Sequence, residues 1–255
     1  MTVASTVTKA MRWVAATRVY GPEPVARGVW RVRGNPGRLN VYLLADPSGG
    51  ITVYDAGGAF MASKLRDVID SLGPLSCVVL GHAHTDHRGA APLLGAPVIC
   101  HPEEVVDAEG SGGLRYWGVG LPKLPLVRRG LHRALLQPLY DAGPVAVTRT
   151  VADGDDVAGF RVVHLPGHAP GLIALVRDED GLALTSDAFY TVDEWWRDSS
   201  PYLPGAAWTW DIERAAASLL DLAALEPRSA WPGHGEPLRG EVAQLLRNAA
   251  AVPPR

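Results

Sequence analysis

Residues 81–89 read GHAHTDHRG, starting from the last residue of CVVLG (Cys77–Gly81), which reads as a short buried strand. Four ligand-type side chains, His82, His84, Asp86 and His87, fall within six positions. A loop leaving a strand end can aim several such groups into one cavity. Imidazole and carboxylate are the donors that suit zinc and related divalent metals. Packing alone is a poor account of the cluster, because a buried Asp needs a partner.

Three further candidates stand in turns or at strand ends: His168 in LPGHAPG, Asp187 in TSDAF and His234 in WPGHGEP. Five His and two Asp are enough ligands for two metals. The other histidines, His101, His132 and His164, read as structural, and Cys77 and Cys100 as small buried residues in strands.

The flanking chain supplies the scaffold. LNVYLLA (Leu39–Ala45) and ITVYD (Ile51–Asp55) flank the turn signal DPSGG and predict a hairpin. Met61, Leu65, Val68, Ile69 and Leu72 share one helical face, which Gly73 and Pro74 end. PVIC (Pro97–Cys100), FRVVHL (Phe160–Leu165), LIALV (Leu172–Val176) and LALTS (Leu182–Ser186) read as strands. DIERAAASLLDLAAL (Asp211–Leu225), with Asp211 as N-cap, and EVAQLLRNAAA (Glu241–Ala251) read as helices. Helices interleaved with strands predict sheets covered by helices.

Residues 102–150 differ: they are rich in Gly, Pro and Arg, and their periodicity is poor. LPKLPLVRRGLHRAL carries Lys123, Arg128, Arg129 and Arg133 without an acid, and reads as a solvated insertion. A long irregular segment of this kind is expected to cover the active site as a lid. No linker is evident, so residues 1–255 are expected to form one domain.

Composition narrows the function. The net charge of −3 argues against a nucleic-acid partner. No run of 18 apolar residues exists, so no membrane partner is expected. The first residues lack an apolar signal core, and a cytoplasmic location is expected.

The spacing HAHTDH, followed by a His, an Asp and a His, resembles the metallo-β-lactamase superfamily of binuclear metallohydrolases. NVYLL, VYDAGG, PGHAPG, SDAF and PGHGEP match its surroundings, from about Asn40 to Pro237. The resemblance implies an α/β fold, an αββα sandwich with the metals at one edge of the facing sheets. It implies that His82, His84 and His168 bind one metal, that Asp86, His87 and His234 bind the other, and that Asp187 bridges them. Two divalent ions are implied, zinc foremost, with iron or manganese as alternatives. Asp55, in VYDAGG, resembles the family's aspartate that fixes the metal loop by hydrogen bonds.

Such a centre is expected to activate a metal-bridged hydroxide against an electrophilic carbonyl, with Asp86 handling the proton. No G-x-S-x-G nucleophile is needed. Within the superfamily, flavodiiron oxidoreductases carry Glu where this chain has His84, and typical zinc β-lactamases lack the bridging Asp. Only 21 residues follow His234, too few for the helical C-terminal domain of the glyoxalase II type. Tyr190 stands three residues after Asp187, a spacing similar to that of the N-acyl homoserine lactonases. Its phenol can meet the substrate carbonyl there, or it can pack as a core tyrosine. Trp195, Trp196, Trp208 and Trp210 follow; they can wall an apolar acyl or aryl group or serve as core anchors, with Trp195 and Trp196 the pocket candidates. The expected substrate is a small molecule with an acyl or lactone carbonyl. The alternatives are an acyl thioester, a phosphodiester, or the chemistry of a mononuclear iron oxidoreductase resembling the persulfide dioxygenases.

Overall fold

In the computed structural model, residues 17–113, 137–193 and 195–252 are described. The expected hairpin forms: β3 (Leu39–Ala45) pairs antiparallel with β4 (Ile51–Tyr54), Leu44 opposite Thr52. The helix Ala62–Leu72 follows and ends at Gly73. It returns the chain to β5 (Leu75–Val79), which lies parallel to β4. β6 (Val98–Cys100) and β7 (Val147–Thr150) extend the parallel half. On the other side, β1 (Arg18–Ala26) and β2 (Val29–Asn35) add an antiparallel hairpin, giving a seven-stranded sheet ordered β1-β2-β3-β4-β5-β6-β7. β1 carries Pro22 and Pro24, which an edge strand tolerates.

The second sheet holds β8 (Asp156–Val157), β9 (Phe160–His164), β10 (Ile173–Arg177), β11 (Leu182–Ser186), β14 (Ser229–Pro232) and β15 (Leu238–Arg239), in the order β15-β14-β11-β10-β9-β8. β12 (Tyr190–Val192) and β13 (Asp198–Tyr202) form a separate ribbon. The helices Ile212–Ala224 and Val242–Ala251 match the sequence pattern, and Asp211 caps the first by accepting from the backbone N–H of Arg214 at 3.0 Å.

The four layers follow from side-chain alternation along strands buried on both faces. In β3, Leu39, Val41 and Leu43 pack with the helix Ala62–Leu72, while Tyr42 and Leu44 face the other sheet. In β10, Ile173 and Leu175 face inward, while Ala174 and Val176 pack with the two later helices. Among the described residues three apolar clusters result, one under each helical layer and one between the sheets. The fold is the expected αββα sandwich.

Parts of the segment 102–150 belong to the sandwich itself. Pro102–Glu104 is a 3-10 turn, Val105–Ala108 a short helix, and Val147–Thr150 is the edge strand β7. Residues 114–136, with Lys123, Arg128, Arg129, His132 and Arg133, lie outside the described residues. Among those described, no helix is long and apolar enough to cross a membrane.

Candidate metal centre

The parallel pairs β4/β5 and β11/β14 end at the same edge of the sandwich, and their carboxyl ends carry the site. Asp55 follows β4, His82 and His84 follow β5, Asp187 follows β11 and His234 follows β14. His168 lies in the turn between β9 and β10. His84 adopts extended angles as N-cap of the short helix Thr85–Arg88, whose first turn presents Asp86 and His87. All five histidines and Asp187 are buried. Asp86 keeps 27% of its side chain exposed, the most open of the seven.

The partners of the outward ring nitrogens fix the tautomers. His234 Nδ1 donates to the Gly37 carbonyl at 2.7 Å. His87 Nδ1 donates to Asp55 Oδ2 at 2.9 Å. Ser186 Oγ donates to that same oxygen at 2.7 Å, and so accepts from His82 Nδ1 at 3.0 Å. Thr209 Oγ1 donates to the Pro204 carbonyl at 3.1 Å, and so accepts from His168 Nδ1 at 3.3 Å. Four imidazoles thereby turn an Nε2 lone pair inward, as metal-ligating histidines do.

Those lone pairs converge on one carboxylate oxygen. Asp187 Oδ2 lies 3.7 Å from Nε2 of His82, 3.2 Å from that of His87, 3.4 Å from that of His168 and 3.6 Å from that of His234. His84 Nδ1 faces His168 Nε2 at 3.0 Å, and Asp86 Oδ2 lies 3.4 Å from His234 Nε2. The donor atoms of His82, His84 and His168 lie within 4.8 Å of one another, as do those of Asp86, His87 and His234. The Nε2 of His82 and Oδ1 of Asp187 are buried without a hydrogen-bond partner. Gly233 is required here, because a Cβ would run into Asp187 Oδ1 and His87 Cε1.

An acceptor oxygen ringed by inward lone pairs repels itself unless positive charge sits among them. The titration behaviour shows the same demand. At His87, burial opposes charge, but Asp187, Asp55 and Asp86 outweigh it and raise the pKa well above its ordinary value. At His234, burial is likewise outweighed by Asp187 and Asp86, and the pKa is raised. Burial keeps His82 and His84 well below the usual imidazole range, and holds His168 at about 4. At Asp86, burial favours the neutral acid, yet His87 and His234 hold the pKa at about 2. The donor set therefore fits divalent cations: neutral imidazoles at one group, ionised carboxylates between and beside them.

The Metallo-beta-lactamase superfamily model matches residues 34–249, which span the whole of this edge. The chain belongs to that superfamily. Membership together with its metallo-hydrolase relatives supports a metal-dependent hydrolase. It is 29% identical over 224 residues to the Bacillus subtilis (strain 168) protein named probable metallo-hydrolase YflN, covering 79% of this chain and 82% of the relative. It is 30% identical over 137 residues to the N-acyl homoserine lactonase AiiB of Rhizobium rhizogenes (strain K84 / ATCC BAA-868), covering 51% of this chain and 46% of the relative. Among solved structures, TTHA1623 in a di-iron-bound form superposes with a TM-score of 0.59 at 29% identity, covering 86% of this chain and 97% of that one.

Asp55 of this superfamily member lies behind His87, fully buried and with φ at +56°. Its Oδ1 accepts from the Gly81 N–H at 2.7 Å, so one carboxylate ties β5's exit, His87 and Ser186 together. Tyr190 lies beside the centre, its hydroxyl donating to Asp187 Oδ2 at 2.8 Å. Trp196 stacks on the His234 ring, with centroids 5.5 Å apart and planes at 24°. It also lines a cleft of about 520 Å³ with Arg33, Arg38, Asn40 and Glu236. Trp195 is 67% exposed, and Trp208 and Trp210 are exposed as well.

Sequence reasoning missed Ser186 and Thr209. Ser186 directly precedes Asp187 and is held at φ +45°, but its sequence signal was only that of a strand end. Thr209 lies between Trp208 and Trp210, and nothing in its local sequence marks a hydrogen-bonding role. His101, Glu103 and His164 also cluster, yet their nitrogens have structural partners: His101 Nδ1 accepts from the Glu103 N–H, and His164 Nε2 donates to the Pro170 carbonyl.

Proposed function

We propose that His82, His84 and His168 hold one divalent ion, that Asp86, His87 and His234 hold a second, and that Asp187 bridges them. In this reading the chain hydrolyses a carbonyl ester, with a lactone or acyl ester as substrate. The observation that carries it is the single oxygen of Asp187 facing four imidazole Nε2 atoms and the Tyr190 hydroxyl.

Two bound ions would lower the pKa of a shared water and polarise the ester carbonyl. The chain's own groups do the rest. Asp86, ionised and the most open of the site carboxylates, accepts a proton at Oδ and delivers it to the leaving alkoxide. Burial, with Asp187 adding to it, raises the Tyr190 pKa well above the usual phenol value, so its hydroxyl stays protonated and serves as a donor. Turned from Asp187, it orients the carbonyl and stabilises the developing oxyanion. Trp196 offers an apolar face beside His234 for the acyl or aryl part. Half the chain's length is similar to an enzyme named as an N-acyl homoserine lactonase, which supports the carbonyl substrate class. Zinc is the metal proposed first, and the di-iron-bound form of a similar structure makes iron the second candidate.

The test is elemental analysis of the purified protein, followed by assays of lactones, aryl esters, acyl thioesters and phosphodiesters with protein of known metal content. Two ions per chain and turnover of a lactone or ester are expected. Phosphodiester cleavage with no acyl-ester turnover would reject the substrate class; a ceiling of one ion after reconstitution would reject the binuclear centre.

A further inference from the structure

Besides Asp55, a second buried acid beside the centre is a ligand of neither metal group. Glu104 ends the 3-10 turn after β6 and is fully buried. Its Oε2 accepts from the Ala83 N–H at 2.7 Å, and its Oε1 accepts from the Gly171 N–H at 2.8 Å. Ala83 lies between His82 and His84, and Gly171 lies three residues after His168. One carboxylate thus joins the two loops that supply the three-histidine group. Neither of these bonds reaches the other group, which is held by Asp55 at His87 and by the Gly37 carbonyl at His234; Asp55 also reaches His82 through Ser186.

Gly171 shows how close the docking is. A Cβ there would lie 2.8 Å from Glu104 Cγ and 2.9 Å from His101 Nδ1, so only glycine lets this loop reach the carboxylate. The close approach of Glu104 and His101, and not a positive φ, calls for glycine at residue 171.

Building on the metal reading above, we propose that Glu104 is a positioning residue for the first ion, holding the loops of His82, His84 and His168 in ligating geometry. Its chemistry suits the task. An ionised carboxylate accepts at both oxygens, whereas a glutamine of equal size must turn its NH₂ toward one of the two N–H groups. Glu104→Gln therefore releases one loop without opening a cavity.

The test is a cobalt titration of metal-free protein, read by ligand-field absorption and by chelator competition. The two groups give separate spectra, because one is three nitrogens and the other two nitrogens with a carboxylate. Glu104→Gln is expected to weaken the three-histidine site by about 10–100-fold, the usual scale for loss of a ligand-supporting partner, and to leave the other site unchanged. Gly171→Ala, which keeps the acid and displaces the loop, is expected to weaken the same site. Equal weakening of both sites, together with a lower melting temperature of the metal-free protein, would show a general structural role and overturn the proposal. Two wild-type ions with unchanged affinity in both variants would overturn it alone. A wild type that takes up no cobalt would overturn the metal reading and this proposal with it.

Discussion

The Tyr190 hydroxyl donates at 2.8 Å to Oδ2 of Asp187, the same oxygen that faces the Nε2 atoms of four histidines. The phenol is thus aimed at the metal edge by its shortest polar contact. Its ring stands among site groups, 4.8 Å from His234 and 6.2 Å from His168 by centroids. An ordinary core tyrosine would have bonded to a backbone carbonyl, as Tyr42 and Tyr54 do.

Tyr190→Phe removes that donor and little volume. It should lower kcat about 10–10³-fold, up to the scale of a lost oxyanion donor, with metal content unchanged. Steady-state kinetics beside elemental analysis checks this. A kcat close to wild type would confine Tyr190 to supporting Asp187.

Asp55→Asn tests how His87 is held. Asn tolerates the left-handed backbone at this position, so the fold should persist. The amide retains one acceptor oxygen, while Gly81, Ser186 and His87 all donate to the carboxylate. His87 then loses its fixed tautomer, and affinity for an ion at Asp86, His87 and His234 should fall about 10–100-fold. Chelator competition measures the loss, and a circular-dichroism spectrum like wild type shows that the fold is kept.

Much of this centre was legible because its ligands sit at element ends that the apolar pattern already marks. CVVLG ends at Gly81 and LALTS ends at Ser186, so His82 and Asp187 fall where strands release the chain. The helix ending at Gly73 and the cap at Asp211 were equally plain, since periodicity and capping are local. Ser186, Thr209 and Glu104 were not legible, because their roles depend on partners brought close only by the fold: Ser186 meets Asp55 across 131 positions. The first hairpin was missed for another reason. VYGPEPVA carries two prolines and a glycine, residues that weaken a strand pattern, yet at a sheet edge the prolines' missing N–H groups cost no ladder bond.

Acid should separate His168 from a solvent-exposed histidine in the metal-free protein. Burial lowers its folded pKa from an ordinary 6.5 to about 4. Between those values the unfolded chain takes up a proton that the folded chain refuses. Its contribution to stability is therefore full above about 6.5 and is lost as pH falls toward 4. The lost amount is about 3 kcal/mol for this one group. Chemical denaturation of metal-free wild type and His168→Gln at pH 7 and pH 4.5 measures it; the wild type should lose more stability than the variant. Parallel pH dependences would show that His168 titrates normally.

The two neighbouring tryptophans should behave differently. Trp196 is only partly exposed, lines the cleft and stacks at 24° on His234. It holds φ at +60°, a conformation costly for a bulky residue and kept only where the surroundings impose it. Trp195, beside it, points away, with 67% of its surface in solvent. Trp196→Ala should therefore raise KM for substrates with an apolar acyl or aryl group by about 10-fold, the loss expected when a large apolar contact of 1–2 kcal/mol is removed, while kcat falls less. Trp195→Ala should leave both constants near wild type. The discriminating measurement is kcat and KM on a short and a long acyl ester for each variant. If Trp196→Ala affects both esters equally, the ring acts through His234 rather than through the substrate; if Trp195→Ala carries the KM effect, the acyl group lies outside the cleft, along the exposed face of the β12–β13 ribbon.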